Sequence, residues 1–139
     1  MTTELLKSTM DKQQWKYIIT SSGDLHSAWD GHGFDFMRQG PNHEILIVRG
    51  RWEARPSISL HQQILDLLNG WNRDRFFPKA YIVDFPEDGN SRVVTEVVID
   101  CEHGITEEQL KLHILSGITT SLKLFEQLNE TFPGIQETD

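Results

Sequence analysis

Asp24, His26, Asp30 and His32 gather two carboxylates and two imidazoles in one short stretch, and both group types ligate zinc. The stretch has neither a His pair at helical i, i+4 spacing nor a thiolate, and alternating strand residues with turn-forming Asp account for the same letters. No metal is therefore expected. Glu96 and Asp100 share one face of a strand-like segment and invite comparison with an acid/base pair. Four strand steps span ~13 Å, beyond the ~5 to 9.5 Å between glycosidase carboxylates, so a solvated strand face is the better account. Cys101 lies between Asp100 and Glu102, whose like charge disfavours a thiolate, and it reads as an inert strand-end thiol. Gly31-His32-Gly33 is half of a dinucleotide fingerprint, but it sits in a hairpin and offers no strand-to-helix phosphate cradle. A Walker loop, a G-x-S-x-G elbow, H-E-x-x-H and C-x-x-C are all absent from the sequence. These residues predict no catalytic group and no cofactor.

Charge placement is more informative. The chain carries a formal charge of -8, yet the segment from Arg38 to Arg92 holds eight bases against seven acids. Arg49 and Arg51 share a strand face, Arg73, Arg75 and Lys79 flank a helix-to-strand junction, and Trp52 and Trp71 lie nearby in sequence. Arg and Trp are enriched at binding hot spots, so Arg49, Arg51, Trp52, Trp71, Asn72 and Lys79 are the candidate binding residues. Ordinary surface ion pairs with Asp74 and Glu53 would use the same arginines.

The elements that must position these residues follow from periodicity and punctuation. Leu5, Leu6 and Met10 predict a short helix before Trp15. Trp15 to Thr20 is aromatic and β-branched, Ser21 to Asp24 is a turn cluster, and Asp30-Gly31 marks a hairpin. Glu44 to Trp52 reads as a long strand, giving a meander of three or four strands. Ser59 with Gln62 predicts a capping box opening a helix to about Arg73, which Pro78 prevents from continuing. Lys79 to Phe85 and Ser91 to Asp100 are strands joined at Asp88-Gly89. Thr106 and Gln109 form a second capping box, and apolar positions recur from Leu110 to about Leu128. The expected class is α+β, an antiparallel sheet covered by helices, in the order α, three or four β, α, two β, α.

Alternation assigns the strand faces. Leu46, Val48, Gly50 and Trp52 should face the core, with Ile45, Ile47, Arg49 and Arg51 opposite. Val93, Thr95, Val97 and Ile99 should also face the core, with Arg92, Val94, Glu96, Val98 and Asp100 opposite. Both strands thus carry aliphatic residues on what should be the polar face. That surplus needs a helix or a second chain to cover it, and a homodimer is expected.

At 139 residues one domain spanning 1–139 is expected, with 1–3 and 133–139 as loose tails. The acidic balance disfavours nucleic acid and anionic membranes as partners. The sequence has no apolar run long enough for a signal or a membrane span, and one cysteine cannot form an intrachain disulfide, so a cytoplasmic location is expected.

Trp29-Asp30-Gly31-His32-x-Phe34, Arg49-Gly50-Arg51-Trp52, Leu68-Asn69-x-Trp71-Asn72, Pro78-Lys79-Ala80-Tyr81, Glu96-Val97-x-x-Asp100 and Gly104-x-Thr106-x-x-Gln109-Leu110 together resemble the YbjN domain family. The likeness spans about Met10 to Leu128 and is nearest to actinobacterial members, described as candidate sensory transduction regulators. It implies a fold like that of type III secretion chaperones, which are commonly homodimers holding extended partner segments. It brings no active site. The expected function is a non-enzymatic protein-interaction or regulatory domain; the alternative is a small-anion or ligand-binding protein or enzyme, with Arg49 or Arg51 as a clamp beside Trp52 and Trp71.

Overall fold

The helix with the clearest start signal forms with its capping box intact. In a computed structural model describing residues 1–135, Thr106 Oγ1 accepts from the Gln109 N–H at 3.1 Å. Gln109 Oε1 accepts in turn from the Thr106 N–H at 2.9 Å. This opens the last helix, α3 (Glu107–Thr131). The chain before it builds α1 (Thr3–Lys12), β1 (Ile18–Ile19), β2 (Leu25–Trp29), β3 (His32–Gln39), β4 (Ile45–Arg51), α2 (His61–Asp74), β5 (Lys79–Phe85) and β6 (Asn90–Asp100). Residues 1–3, expected as a tail, include the Thr2 cap of α1, whose Oγ1 accepts from the Leu5 N–H. The expected C-terminal tail lies partly outside the described residues, at 136–139.

Two local expectations are corrected. The first strand is not Trp15 to Thr20 but only Ile18 and Ile19, paired with His26 and Leu25. The Ser59–Gln62 box does not form, because a 3-10 turn at Ile58–Leu60 precedes α2 and is capped by Ser57, whose Oγ accepts from the Ser59 N–H. Gln62 donates instead to Asp66 one turn on. Ser57 competes successfully because its hydroxyl serves the tighter turn, and α2 then begins without a side-chain cap.

Six antiparallel strands form one sheet in the order β1-β2-β3-β4-β6-β5. Asp30 and Gly31, both at positive φ, make the β2–β3 turn, a conformation Gly adopts without penalty. The register aligns Phe34 with Gly50 and Phe36 with Val48, and Gly50 with Thr95 and Val48 with Val97. These residues face the helices. A Cβ on Gly50 would come within 2.6 Å of Thr95 Oγ1 and 2.7 Å of Phe34 Cε1, so only glycine fits there.

All three helices pack on that one face. From α3, Ser121 Oγ lies 2.7 Å from Thr95 Oγ1, Gly117 lies against Val48, and the Phe125 ring packs near Phe34 and His32. Leu6 and Met10 of α1 join the same core, as do Ile64, Leu68 and Trp71 of α2. Val94, buried but on the opposite face, is not part of that core.

Candidate functional site

The helix-free face carries a ladder of strand charges. Register places Ile18, His26, Asp35, Arg49, Glu96 and Lys79 in one row across all six strands. Opposite charges are thereby made cross-strand neighbours, the arrangement that stabilises a sheet face. His26 Nδ1 lies 2.6 Å from Asp35 Oδ1, and Arg51 Nη1 donates to Asp35 Oδ2. Glu96 is the second hub. It takes Arg49 Nε and Nη2 at 2.7 Å each, Tyr81 Oη at 2.8 Å and Lys79 Nζ at 3.1 Å.

Glu96 is only 7% exposed although it sits on the face without helices. The expectation of a solvated strand face is corrected for this residue, while Asp100 is exposed. The aliphatic and aromatic parts of Arg49, Lys79 and Tyr81 cover the carboxylate. Burial acts to raise the Glu96 pKa, but hydrogen bonds from Tyr81, Lys79 and Arg49, with the guanidinium charge, outweigh it and hold the carboxyl below its ordinary value. Burial and the bond to this carboxylate push the Tyr81 phenol up. Around the ladder lie Met37, Ile47 and Val98, with Val98 54% exposed.

The candidate binding residues are divided by the sheet. Arg49, Arg51 and Lys79 stand on the helix-free face, half-exposed or exposed. Trp52 is in the core on the other side, 1% exposed, with its Nε1–H donating to Asn129 Oδ1 at 2.8 Å. Trp71 is buried on the apolar side of α2, with the Arg75 guanidinium 4.2 Å from its ring centroid. Asn72 ties the end of α2 to β5: its Nδ2 donates to the Ala80 carbonyl at 2.9 Å and its Oδ1 accepts from the Ala80 N–H at 3.1 Å. Trp71 lines a recess of about 310 Å³ with Asp66, Asp74, Arg75 and Gln127, and none of the other five candidate residues borders it. Sequence adjacency misled because Arg51 and Trp52 point to opposite faces of β4 and its extension.

The four residues weighed as metal ligands are dispersed. Asp24 and Asp30 occupy different turns, His26 is on the ladder, and His32 is buried among the core aromatics. Among the described residues no cluster of three such groups has metal-holding geometry. Cys101 is buried, and its thiol is pushed up by burial against the pull of the N-terminal ammonium, with Asp100 adding to the rise. Among the described residues no helix is long and apolar enough to cross a membrane.

His32 carries a testable acid sensitivity. Its Nδ1 accepts from the Glu53 N–H at 2.9 Å, and burial lowers its pKa against the opposing charge of Asp30. The folded state therefore binds this proton less readily than the unfolded state. Its contribution to stability is full above the unfolded value of ~6.5 and is lost as pH falls through the lower folded value. Urea melts at pH 7.5 and 5.5 should show lower stability at pH 5.5, with the difference reduced in His32→Gln.

A family model described as "Putative bacterial sensory transduction regulator" matches residues 2–130. The chain belongs to the YbjN family. The solved structure titled "Crystal structure of YbjN, a putative transcription regulator from E. coli" is similar over 94% of this chain and 93% of that one, with a TM-score of 0.79. Sequence identity over that match is 16%, so the likeness concerns the fold. No curated protein matches the chain. The α+β class read from the sequence agrees with this neighbour, and the meander contains four strands.

Sequence alone does not join Glu96, Tyr81, Asp35 and His26 into one site, because their proximity depends on strand order. The signal was present in their alternation: Lys79 with Tyr81 on one strand and Arg49 with Arg51 on another put bases and a phenol at same-face positions, while Glu96 stands among valines.

Proposed function

We propose that the protein is a non-enzymatic regulatory domain that acts by binding protein, and that the helix-free sheet face is its contact surface. The observation that carries this reading is the placement of all three helices on one side of the sheet, which leaves Ile47, Met37 and Val98 beside an ion-paired ladder. An antiparallel sheet can tolerate one wet face, but this one carries aliphatic residues where polar ones would serve. The charges set register and exclude poor partners, while the aliphatic rows supply apolar area. We take the protein to be cytoplasmic and homodimeric, the second copy covering this face. Chaperone-like capture of an extended partner segment is the finer form of the same reading.

The anion-clamp alternative has less support. Arg49 and Arg51 already hold Glu96 and Asp35, and the two indoles lie in the core across the sheet.

Light scattering at micromolar concentration should give about twice the chain mass of 16.1 kDa. Val98→Glu changes an exposed position and should shift the protein toward the monomer while leaving its circular dichroism close to that of the parent. A mass near 16.1 kDa for the parent at every concentration overturns the dimer. Should a protein partner be isolated, unchanged binding by folded Arg49→Glu/Arg51→Glu at low salt places its surface elsewhere.

A further inference from the structure

Every strand residue of β3 that faces the helices is apolar or aromatic in character until Arg38. His32, Phe34 and Phe36 are fully covered by the core, and Arg38 follows on the same face. Its guanidinium is half-buried below the start of α1, where Nη1 donates to Thr3 Oγ1 at 2.6 Å. Nε is buried with no acceptor. Among the described residues no carboxylate lies within ion-pair distance of this group, whereas Arg49 and Arg51 each hold one. A guanidinium partly removed from water with one neutral acceptor is unfavourable, and such a group has a use when it meets an anion.

Arg38 borders a recess of about 170 Å³ formed where α1, the β1–β2 turn and the β3–β4 turn converge. Leu6, Leu25 and Phe36 supply an apolar wall, and Asp24 and His43 supply polar groups. Asp24 lines the same recess beyond ion-pair distance of Arg38, with its Oδ2 accepting from Ser22 Oγ at 3.1 Å. A simple anion would be attracted by Arg38 and repelled by Asp24. A zwitterion satisfies both, its carboxylate on the guanidinium and its ammonium on the carboxylate.

We infer that this recess binds a small α-amino acid, held by Arg38 at its carboxylate and Asp24 at its ammonium, with a short aliphatic side chain against Leu6, Leu25 and Phe36. Size is compatible with this: at ~30 Å³ of liquid volume per water the recess of about 170 Å³ has room for roughly six waters, space enough for a small amino acid such as alanine. The two charged handles explain selectivity, since a ligand lacking either leaves the other group opposed or unmatched. The recess is built from the helix side of the sheet, so it is separate from the proposed contact face. An amino acid bound there would bridge the start of α1 to two turns, and this is how an effector could bias a regulatory domain.

Titration of the full chain with L-alanine, followed by amide nuclear magnetic resonance, tests the inference. Saturable shifts are expected at Ser22, Gly23, Asp24 and His43. Acetate and ethylamine, each with one handle, should bind at least about tenfold more weakly, the weight of one charge-assisted hydrogen bond. Asp24→Asn and Arg38→Gln should each weaken L-alanine by about tenfold or more. Asp24→Asn carries the test if Arg38→Gln is misfolded, because Asp24 is in a turn and makes only a local side-chain bond to Ser22. Equal binding of acetate and L-alanine, unaffected by Asp24→Asn, overturns the amino-acid assignment. Absence of saturable shifts with all three probes overturns the site itself.

Discussion

Trp52→Ala should lower stability by about 3–5 kcal/mol, the usual cost of removing a large aromatic side chain from a core. The indole is 1% exposed and heads the fully buried side chains by volume. Its loss leaves a cavity between the sheet and α3 and also strips Asn129 Oδ1 of its donor. Against a typical stability of ~5–15 kcal/mol, this one change brings the domain near its unfolding threshold. Trp52→Phe separates the two causes: it restores most of the ring but not the N–H, and should recover more than half of the loss. Arg51→Ala, one residue away, removes a half-exposed pair with Asp35 and should cost only ~0–1 kcal/mol. Urea unfolding of the three variants measures the contrast. A cost below ~1 kcal/mol for Trp52→Ala would mean that the indole is a surface group after all.

That contrast also marks what could be read from sequence. Alternation assigned Leu46, Val48 and Trp52 to one side of β4 and Ile47, Arg49 and Arg51 to the other, because the strand period admits no alternative once one face is buried. The Thr106–Gln109 box was equally legible, since both of its bonds are local. The candidate site was not legible as a unit. Its neighbours depend on strand order, and β6 inserts between β4 and β5, so Glu96 meets Arg49 on one side and Lys79 on the other. Nothing local to Glu96 announces that Arg49, Lys79 and Tyr81 will converge on it. In the sequence Arg38 is only one of eight bases between Arg38 and Arg92, and it takes the paired strands to show that it follows Phe34 and Phe36 on the core-facing side of β3. The Ser59 box failed for a local reason: Ser57, two residues earlier, caps the 3-10 turn and its hydroxyl pairs with that of Ser59, which then caps nothing.

Glu96→Leu should cost about 2–3 kcal/mol, and Arg49→Met in the same chain should return most of it. Breaking a buried ion pair from one side costs ~3–5 kcal/mol, mainly by stranding the remaining charge. Here the remaining charges are partly solvated, with the Arg49 side chain 35% and the Lys79 side chain 63% exposed, so the penalty falls below that range. Replacing both members of a buried pair by apolar residues of similar size is often neutral, hence the expected recovery. Acid should reproduce part of the single-mutant loss in the parent. The Glu96 carboxyl is held below its ordinary value, so its stabilising contribution is present above the unfolded value of ~4.3 and disappears as pH falls through the folded one. Melts between pH 5 and pH 3 should therefore be steeper in pH for the parent than for Glu96→Leu/Arg49→Met. If the double variant is as unstable as the single one, the ladder contributes by packing rather than by charge. If it recovers stability while the proposed self-association is lost, the charges serve the proposed contact face, because the fold then has no need of them.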